Sequence, residues 1–350
     1  MTALLRMPKA PGCRMPSAGS WVGLLGWMVW AWASLGGLAA VRGAASSVPF
    51  QEINGLLRVD LMAWGEREGF KSRWNPGTGS LILTNRSTRM AFKVDTARLE
   101  LDGVMVWLQR PVIRSGNRPF LSAQDLDAIV QPLLKPTRLP AGKKIRKIAI
   151  SAGHGGKDPG NTQGVRQEKV YTLKLAREVE QRLRAAGFEV VQVRDRDVYV
   201  PLEERPARAN RAKADLYLSL HFNGAAATSG TANGTETYAL TPRDGRSTNG
   251  GRSSGSQEGN RQDRENLLLA YHIHKKIVGT MGLADRGVRH ANFVELRSAR
   301  MPAVLIEGGF MDHRADGTKI FSDQVRGRLA DAIVDGVKAY QRAVQRGGSQ

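Results

Sequence analysis

The rhythm of hydrophobic and polar positions changes near residue 135. From Val48 to Leu134 the chain runs in short alternating segments, LLRVDLMAWG, GSLILTN, MAFKVD and VMVWLQR, separated by the turn signals NPGTG, DG and SGN. Period-two alternation bounded by Gly, Pro and Asn is the pattern of half-buried strands, so residues 48–134 are expected to form a small, mainly β domain. KPTRLPAGKK, residues 135–144, holds two prolines, a glycine and several cations and reads as a linker.

From Ile145 strand and helix alternate: KIAIS, the helix EKVYTLKLAREVEQRLRAAG, FEVVQVR, a helix through EERPARANRAKA, then DLYLSLH. That order gives an α/β domain over residues 145–345. In the first helix Val170, Leu173, Ala176, Val179 and Leu183 recur at helical spacing, which predicts one face packed on a sheet, and Gly187 supplies the carboxyl-terminal cap. TETYALT, NFVELR and PAVLIE add strand-like runs, ENLLLAYHIHKKIVGTMG a helix, and VRGRLADAIVDGVKAYQRAV a closing helix. Residues 242–262, PRDGRSTNGGRSSGSQEGNRQ, carry too little apolar surface to offset the ordering cost, so a mobile insert or an exposed loop near the site is expected there.

At the amino terminus Arg6, Lys9 and Arg14 precede the apolar run WVGLLGWMVWAWASLGGLAA, which gives way to Gly43, Ala44 and Ala45. This is the layout of an export signal. A run of about twenty residues also spans a bilayer, so residues 1–45 are expected to be a signal peptide or an uncleaved anchor, the only membrane contact foreseen. The remainder is expected to be exported, to the periplasm or the extracellular cell wall. Cys13, the only cysteine, precedes that run, so the exported part has neither a disulfide nor a thiolate nucleophile or ligand. The formal charge is +20, and setting aside Arg6, Lys9, Arg14 and Arg42 leaves +16. Such a charge suits anionic wall polymers or serves solubility alone. No nucleic-acid partner is expected, because no zinc finger, aromatic RNA-binding signature or basic zipper is present.

Candidate chemistry gathers at strand ends. His154 in IAISAGHGG and His221 in LYLSLHFN sit just past apolar strands, Glu168 opens the helix between them, and Glu307 ends the strand AVLIEGG. Two imidazoles and one carboxylate hold a zinc ion while leaving a position for water, and Glu307 is then free to take the water's proton. Gly153, Gly155 and Gly156 let the backbone turn sharply at a strand end, where α/β sheets place ligands. Each residue has a plainer reading. His154 bonds within its loop, or the glycines bind phosphate, although GHGGKD lacks the Walker spacing. His221 is a satisfied core histidine, Glu168 a carboxylate favoured by the helix dipole, and Glu307 a surface acid. The other four histidines end no apolar strand: His272 and His274 ride a helix, His290 sits in a basic turn and His313 in a polar loop.

Taken in order, IAISAGHGGKDPGN, QEK, LEERPARANRAKADLYLSLHFN, GVRHANFVELR and PAVLIEGGFM make the span from about Ile145 to Ala343 resemble the zinc-dependent N-acetylmuramoyl-L-alanine amidases of the type 3 catalytic family. The resemblance implies a mixed twisted sheet flanked by helices. It further implies Zn2+ on His154, Glu168 and His221, with Glu307 as the catalytic carboxylate. Asn223, two residues past His221, is expected to bind substrate. The implied activity is cleavage, by zinc-activated water, of the amide joining N-acetylmuramic acid to L-alanine of the peptidoglycan stem, with room for an activator protein as partner. Pro206, Gly308 and the run MDHRAD depart from the family pattern and bear on substrate preference and loop geometry more than on the reaction. Ahead of this span, LLRVDLMAWGEREGFKSRWNPGTGSLILTN and ARLELDGVMVWLQRPVIRSGNRPFLSAQDL are similar to the copper amine oxidase N-terminal-like domain, a small β-rich α+β unit. Residues 48–134 contain no histidine for copper, and the unit is assigned to wall attachment or spacing. An exported zinc peptidase, for which the HExxH motif is absent, and a metal-dead wall-binding module are the alternatives.

Overall fold

A computed structural model describes residues 49–225, 230–253 and 255–347. The expected export segment at 1–45, with Cys13, lies outside them. Among the described residues no helix is long and apolar enough to cross a membrane.

The alternating segments form strands, except that LMAWG, the second half of the first, is helical because Asp60 caps a helix there. β1 (Gln51–Ile53) and β2 (Leu56–Asp60) pair antiparallel, and Asp60 caps α1 (Leu61–Arg67) by accepting from the Met62 and Ala63 amides at 2.9 and 3.2 Å. An antiparallel meander follows, of β3 (Lys71–Asn75), β4 (Ser80–Thr84), β5 (Arg89–Lys93), β6 (Arg98–Leu101) and β7 (Val104–Trp107). β8 (Ile113–Ser115) and β9 (Arg118–Ser122) complete a four-stranded sheet ordered β1-β2-β9-β8, and α2 (Ala123–Asp125) and α3 (Gln131–Leu134) lead out of it.

The second part supplies β10 (Lys147–Ala152), the small hairpin of β11 (Thr162–Gln163) and β12 (Arg166–Gln167), α4 (Glu168–Ala185), β13 (Glu189–Gln192), α5 (Glu204–Arg211) and β14 (Leu216–Asn223). β15 (Thr235–Leu240), α6 (Asp263–Met281), β16 (Asp285–Ala291), α7 (Val294–Arg297), β17 (Ala303–Phe310), α8 (Arg314–Phe321) and α9 (Asp323–Arg346) complete it. Its strands are ordered β13-β10-β14-β17-β15-β16, parallel except where β15 meets β17. This is a mixed α/β sheet flanked by helices. One face buries Leu175 and Val179 of α4, Ile273 of α6 and Ile333 of α9, and the other buries Tyr217, Tyr238 and Leu305 against Ala209 of α5 and Leu296 of α7. The carboxyl ends of β10, β14 and β17 therefore open side by side, where an α/β sheet places its ligands.

The two parts share more than a linker. β7 adds in parallel to β16, pairing Val106 with Val288, so the meander and the α/β strands make one 11-stranded sheet. Met105 N donates to Asp285 Oδ2 at 2.8 Å and Trp107 Nε1 to the Arg286 carbonyl at 2.8 Å. One buried apolar cluster runs from Val59 to Val344, and the described residues form a single compact unit. Each part presents an edge strand with unpaired backbone groups, and joining the edges satisfies both.

Other local outcomes differ from the sequence pattern for physical reasons. The buried face of α4 is Thr172, Leu175, Ala176, Val179 and Leu183, whereas Val170 is exposed in the first turn. Pro206 does not interrupt α5, because it sits in the first turn, where its missing N–H has no partner to lose. NFVELR is not a strand: β16 ends at Ala291 and α7 is a single helical turn. His290 lies inside β16, fully buried, and not in a turn; burial pushes its pKa down to about 4. The polar segment 242–262 makes specific bonds. Arg246 N donates to Gln109 Oε1 at 3.1 Å, Thr248 N to the His290 carbonyl at 2.8 Å, and Ser253 is buried.

The seam between β7 and β16 leaves room for no side chain at Gly287. Its φ is +94°, and an added Cβ would lie 2.8 Å from Trp107 Cδ1 and 3.1 Å from the Met105 carbonyl. Gly287→Ala should cost about 1–3 kcal/mol, read as a lower urea midpoint. An unchanged midpoint contradicts the seam.

Candidate functional site

The loop after β10 is shaped from behind. Gly153 N donates to the Leu220 carbonyl at 2.9 Å, tying the loop to β14. His154 adopts φ +59°, an uncommon conformation for a residue with a side chain, held by reciprocal backbone bonds between Gly155 and Asp158 of 2.9 and 3.2 Å. Two buried arginines bind the surrounding carbonyls. Arg205 donates to Ala152 O at 2.7 Å and His154 O at 2.8 Å, and Arg194 to Ala152 O at 2.9 Å and Gly153 O at 2.7 Å. At Gly153 and Gly160 an added side chain would run into the site residues themselves. A Cβ would lie 2.3 Å from His221 Cε1 in the first case, and 2.6 Å from His154 Cδ2 and 2.7 Å from Glu168 Oε2 in the second.

Glu168 is the hub. It starts α4, is 1% exposed, and lies between the rings: His154 Nε2 is 3.1 Å from Oε2 and His221 Nδ1 3.1 Å from Oε1. Asn161 donates to Oε2 from its backbone at 3.0 Å and its side chain at 2.9 Å, and Phe222 N donates to Oε1 at 3.1 Å. Burial alone would raise the Glu168 pKa, but hydrogen bonds from His154 and His221 and their charge hold it below the usual carboxylate range. For His221 burial works against the proton, while the Glu295 charge and the Glu168 contact win and raise its pKa. His154 Nδ1 is fixed by Asp158 Oδ2 at 2.8 Å, which leaves Nε2 facing Glu168.

Glu307 stands on β17 directly beside His221 of β14 in the parallel register. Its Oε2 is sealed from solvent and has no hydrogen-bond partner. Burial pushes its pKa up to about 8, with Glu168, Glu236 and Glu295 adding repulsion against the pull of His221. Across β15 the buried Glu236 takes Arg286 Nε at 2.6 Å and Arg289 Nη1 at 2.9 Å on Oε1, and Asn223 Nδ2 at 3.1 Å and Tyr238 OH at 2.7 Å on Oε2. Asn223 thus lies at the rim, its amide nitrogen on Glu236 and its oxygen accepting from Gly224 N at 3.0 Å.

The structure therefore brings His154, Glu168 and His221 together, with Glu307 and Asn223 next to His221. Among the described residues these three form a group whose ligand atoms all lie within 4.8 Å of one another. Two nitrogens and a carboxylate oxygen at such separations fit a shared zinc ion with ligands about 2.0–2.2 Å away. Asp158, Arg205, Glu236 and Glu295 were not legible as site residues. Asp158 had one signal, a carboxylate four residues past His154 in the glycine loop, whereas Glu295 sits in a turn that reads as strand.

A family model described as N-acetylmuramoyl-L-alanine amidase matches residues 148–339. The uncharacterized protein YqiI of Bacillus subtilis is 33% identical over 195 residues, 56% of this chain and 84% of that protein. The N-acetylmuramoyl-L-alanine amidase LytC of Bacillus subtilis is 32% identical over 227 residues, 65% of this chain but 40% of LytC, so the chain spans well under two thirds of that relative. Among solved structures, the N-acetylmuramoyl-L-alanine amidase AmiC2 of Nostoc punctiforme is 28% identical, with 58% of this chain and 100% of that chain covered and a TM-score of 0.49.

Removing Glu236 would strand two guanidinium groups beside the site. Glu236→Ala should cost about 2–4 kcal/mol in urea unfolding, below the top of the range for a broken buried pair because Arg286 is 35% exposed. A loss under about 0.5 kcal/mol, the size of a surface pair, contradicts this.

Proposed function

The chain belongs to the N-acetylmuramoyl-L-alanine amidase family, and from that premise we propose that it is an exported, zinc-dependent peptidoglycan hydrolase. It cleaves the amide between the lactyl group of N-acetylmuramic acid and L-alanine of the stem peptide. The observation that carries this reading is the convergence of His154 and His221 on the two oxygens of buried Glu168, with Glu307 one strand away. The +16 charge of the chain beyond residue 45 favours adsorption to anionic wall polymers, in keeping with placement outside the membrane.

His154 through Nε2, His221 through Nδ1, and Glu168 would hold the ion. Zinc supplies a Lewis acid that polarises the amide carbonyl and makes attack by water accessible near neutral pH. The protein's own groups do the rest. Asp158 keeps the His154 ring turned so that Nε2 faces the site, and Asn161 and Phe222 hold the Glu168 carboxylate in place by hydrogen bonds. Glu307 accepts a proton from the attacking water and delivers it to the departing L-alanine amine as the C–N bond breaks. The same carboxylate so acts first as general base and then as general acid. Asn223, at the rim beside His221, is the residue proposed to contact the substrate.

Purified wall sacculi incubated with the protein, with and without a chelator, test the reading through the new amino termini identified by mass spectrometry. Chelator-sensitive release of L-alanine termini is expected. Cuts inside the peptide would make it a peptidase, and no release a binding module. Glu307→Gln should lower turnover about 10²- to 10⁴-fold with zinc still bound; an unchanged rate removes Glu307 from its role. His154→Ala should instead empty the metal site, seen as lost zinc in metal analysis of the purified variant, and full zinc content would exclude His154 as a ligand.

A further inference from the structure

Glu295 is a buried acid that the mechanism above does not use. It is the second residue of α7, 5% exposed, on the same face of the sheet as His221. Its Oε1 accepts from Ser219 Oγ at 3.3 Å and lies 3.6 Å from Arg205 Nε. Its Oε2 is 3.6 Å from His221 Nε2, just beyond hydrogen-bond length. That nitrogen is buried and has no hydrogen-bond partner, while the opposite ring nitrogen, Nδ1, faces Glu168. A buried ring nitrogen without a partner is uncommon, and polar contacts at such sites are often long until the ligand is in place.

Resting on the zinc reading above, we infer that Glu295 is a positioning residue: it accepts the Nε2–H of His221 and so keeps the Nδ1 lone pair turned toward the metal. An imidazole can carry its one neutral-state proton on either nitrogen, and only the unprotonated nitrogen binds a metal. A carboxylate behind the ring selects the tautomer and makes the ligand nitrogen more basic. His154 already has such a partner in Asp158, at 2.8 Å from its Nδ1. Glu295 gives His221 the mirror arrangement, Nε2 held and Nδ1 presented. Ser219 and Arg205 keep the carboxylate in place. Arg205 does not depend on Glu295 for its hydrogen bonds, since it also donates to Val200 O, Ser151 Oγ, Ala152 O and His154 O.

Zinc dissociation constants of the full chain and of Glu295→Gln, measured by competition with a chelator of known affinity, test this alongside ¹⁵N NMR of the His221 ring in the zinc-loaded wild type. The expected result is zinc affinity weakened about 10- to 100-fold in the Gln variant, a smaller loss in the same direction for Ser219→Ala, and the His221 proton on Nε2. A role confined to supporting the fold would lower the stability of the metal-free protein and leave the zinc constant of the folded fraction unmoved. A zinc constant within about twofold of wild type in Glu295→Gln, or a His221 proton on Nδ1, overturns the inference. Should the Gln variant not fold, Ser219→Ala and the ring tautomer decide. A wild type that takes up no zinc overturns the hydrolase reading and this inference together, whereas a zinc-binding wild type with an indifferent Gln variant overturns this inference alone.

Discussion

The site depends on one buried carboxylate. Glu168 is 1% exposed and would be costly to hold ionised if it were alone, since burial opposes charge. It is kept charged by two imidazoles, one on each oxygen, and by backbone and side-chain N–H groups of Asn161 and Phe222. Its place at the first residue of α4 adds the favourable end of the helix dipole. Loop, helix and strand must all be correctly assembled for those donors to meet, so folding and site formation are one event.

The sheet supplies the rest of that assembly. Parallel register between β14 and β17 sets His221 beside Glu307, and β10 delivers His154 at the same edge. The chain then accumulates acids, Glu168, Glu236, Glu295 and Glu307, around two histidines. Arginines offset part of this: Arg286 and Arg289 hold Glu236, and Arg205 stands behind Glu295. Burial raises the proton affinity of Glu307, and its Oε2 has no such partner to oppose that. A cation at His154, Glu168 and His221, the proposed zinc, would offset more of this charge.

The sequence made the strand-end residues legible because they follow apolar runs whose direction is unambiguous. Once KIAIS and DLYLSL are strands, His154 and His221 must emerge at their ends. Glu168 was legible as a helix start for a similar local reason. Glu295 and Glu236 were not, because their roles depend on which neighbour lies across the sheet, a nonlocal fact. The same limit applies to β7. Its alternation marks a strand, but nothing in VMVW shows that its free edge meets β16, so the first part reads as a separate domain while the structure joins it to the same sheet. Segment 242–262 reads as mobile from its polar composition, yet its backbone finds partners at Gln109 and His290, and backbone bonding leaves little trace in composition.

Zinc-edge anomalous diffraction from crystals of the zinc-loaded protein tests whether these donors share one ion. A single strong peak is expected about 2.0–2.2 Å from His154 Nε2, His221 Nδ1 and a Glu168 oxygen. A lattice with no peak there, or a peak held by other side chains while these three stay apart, would contradict a shared ion.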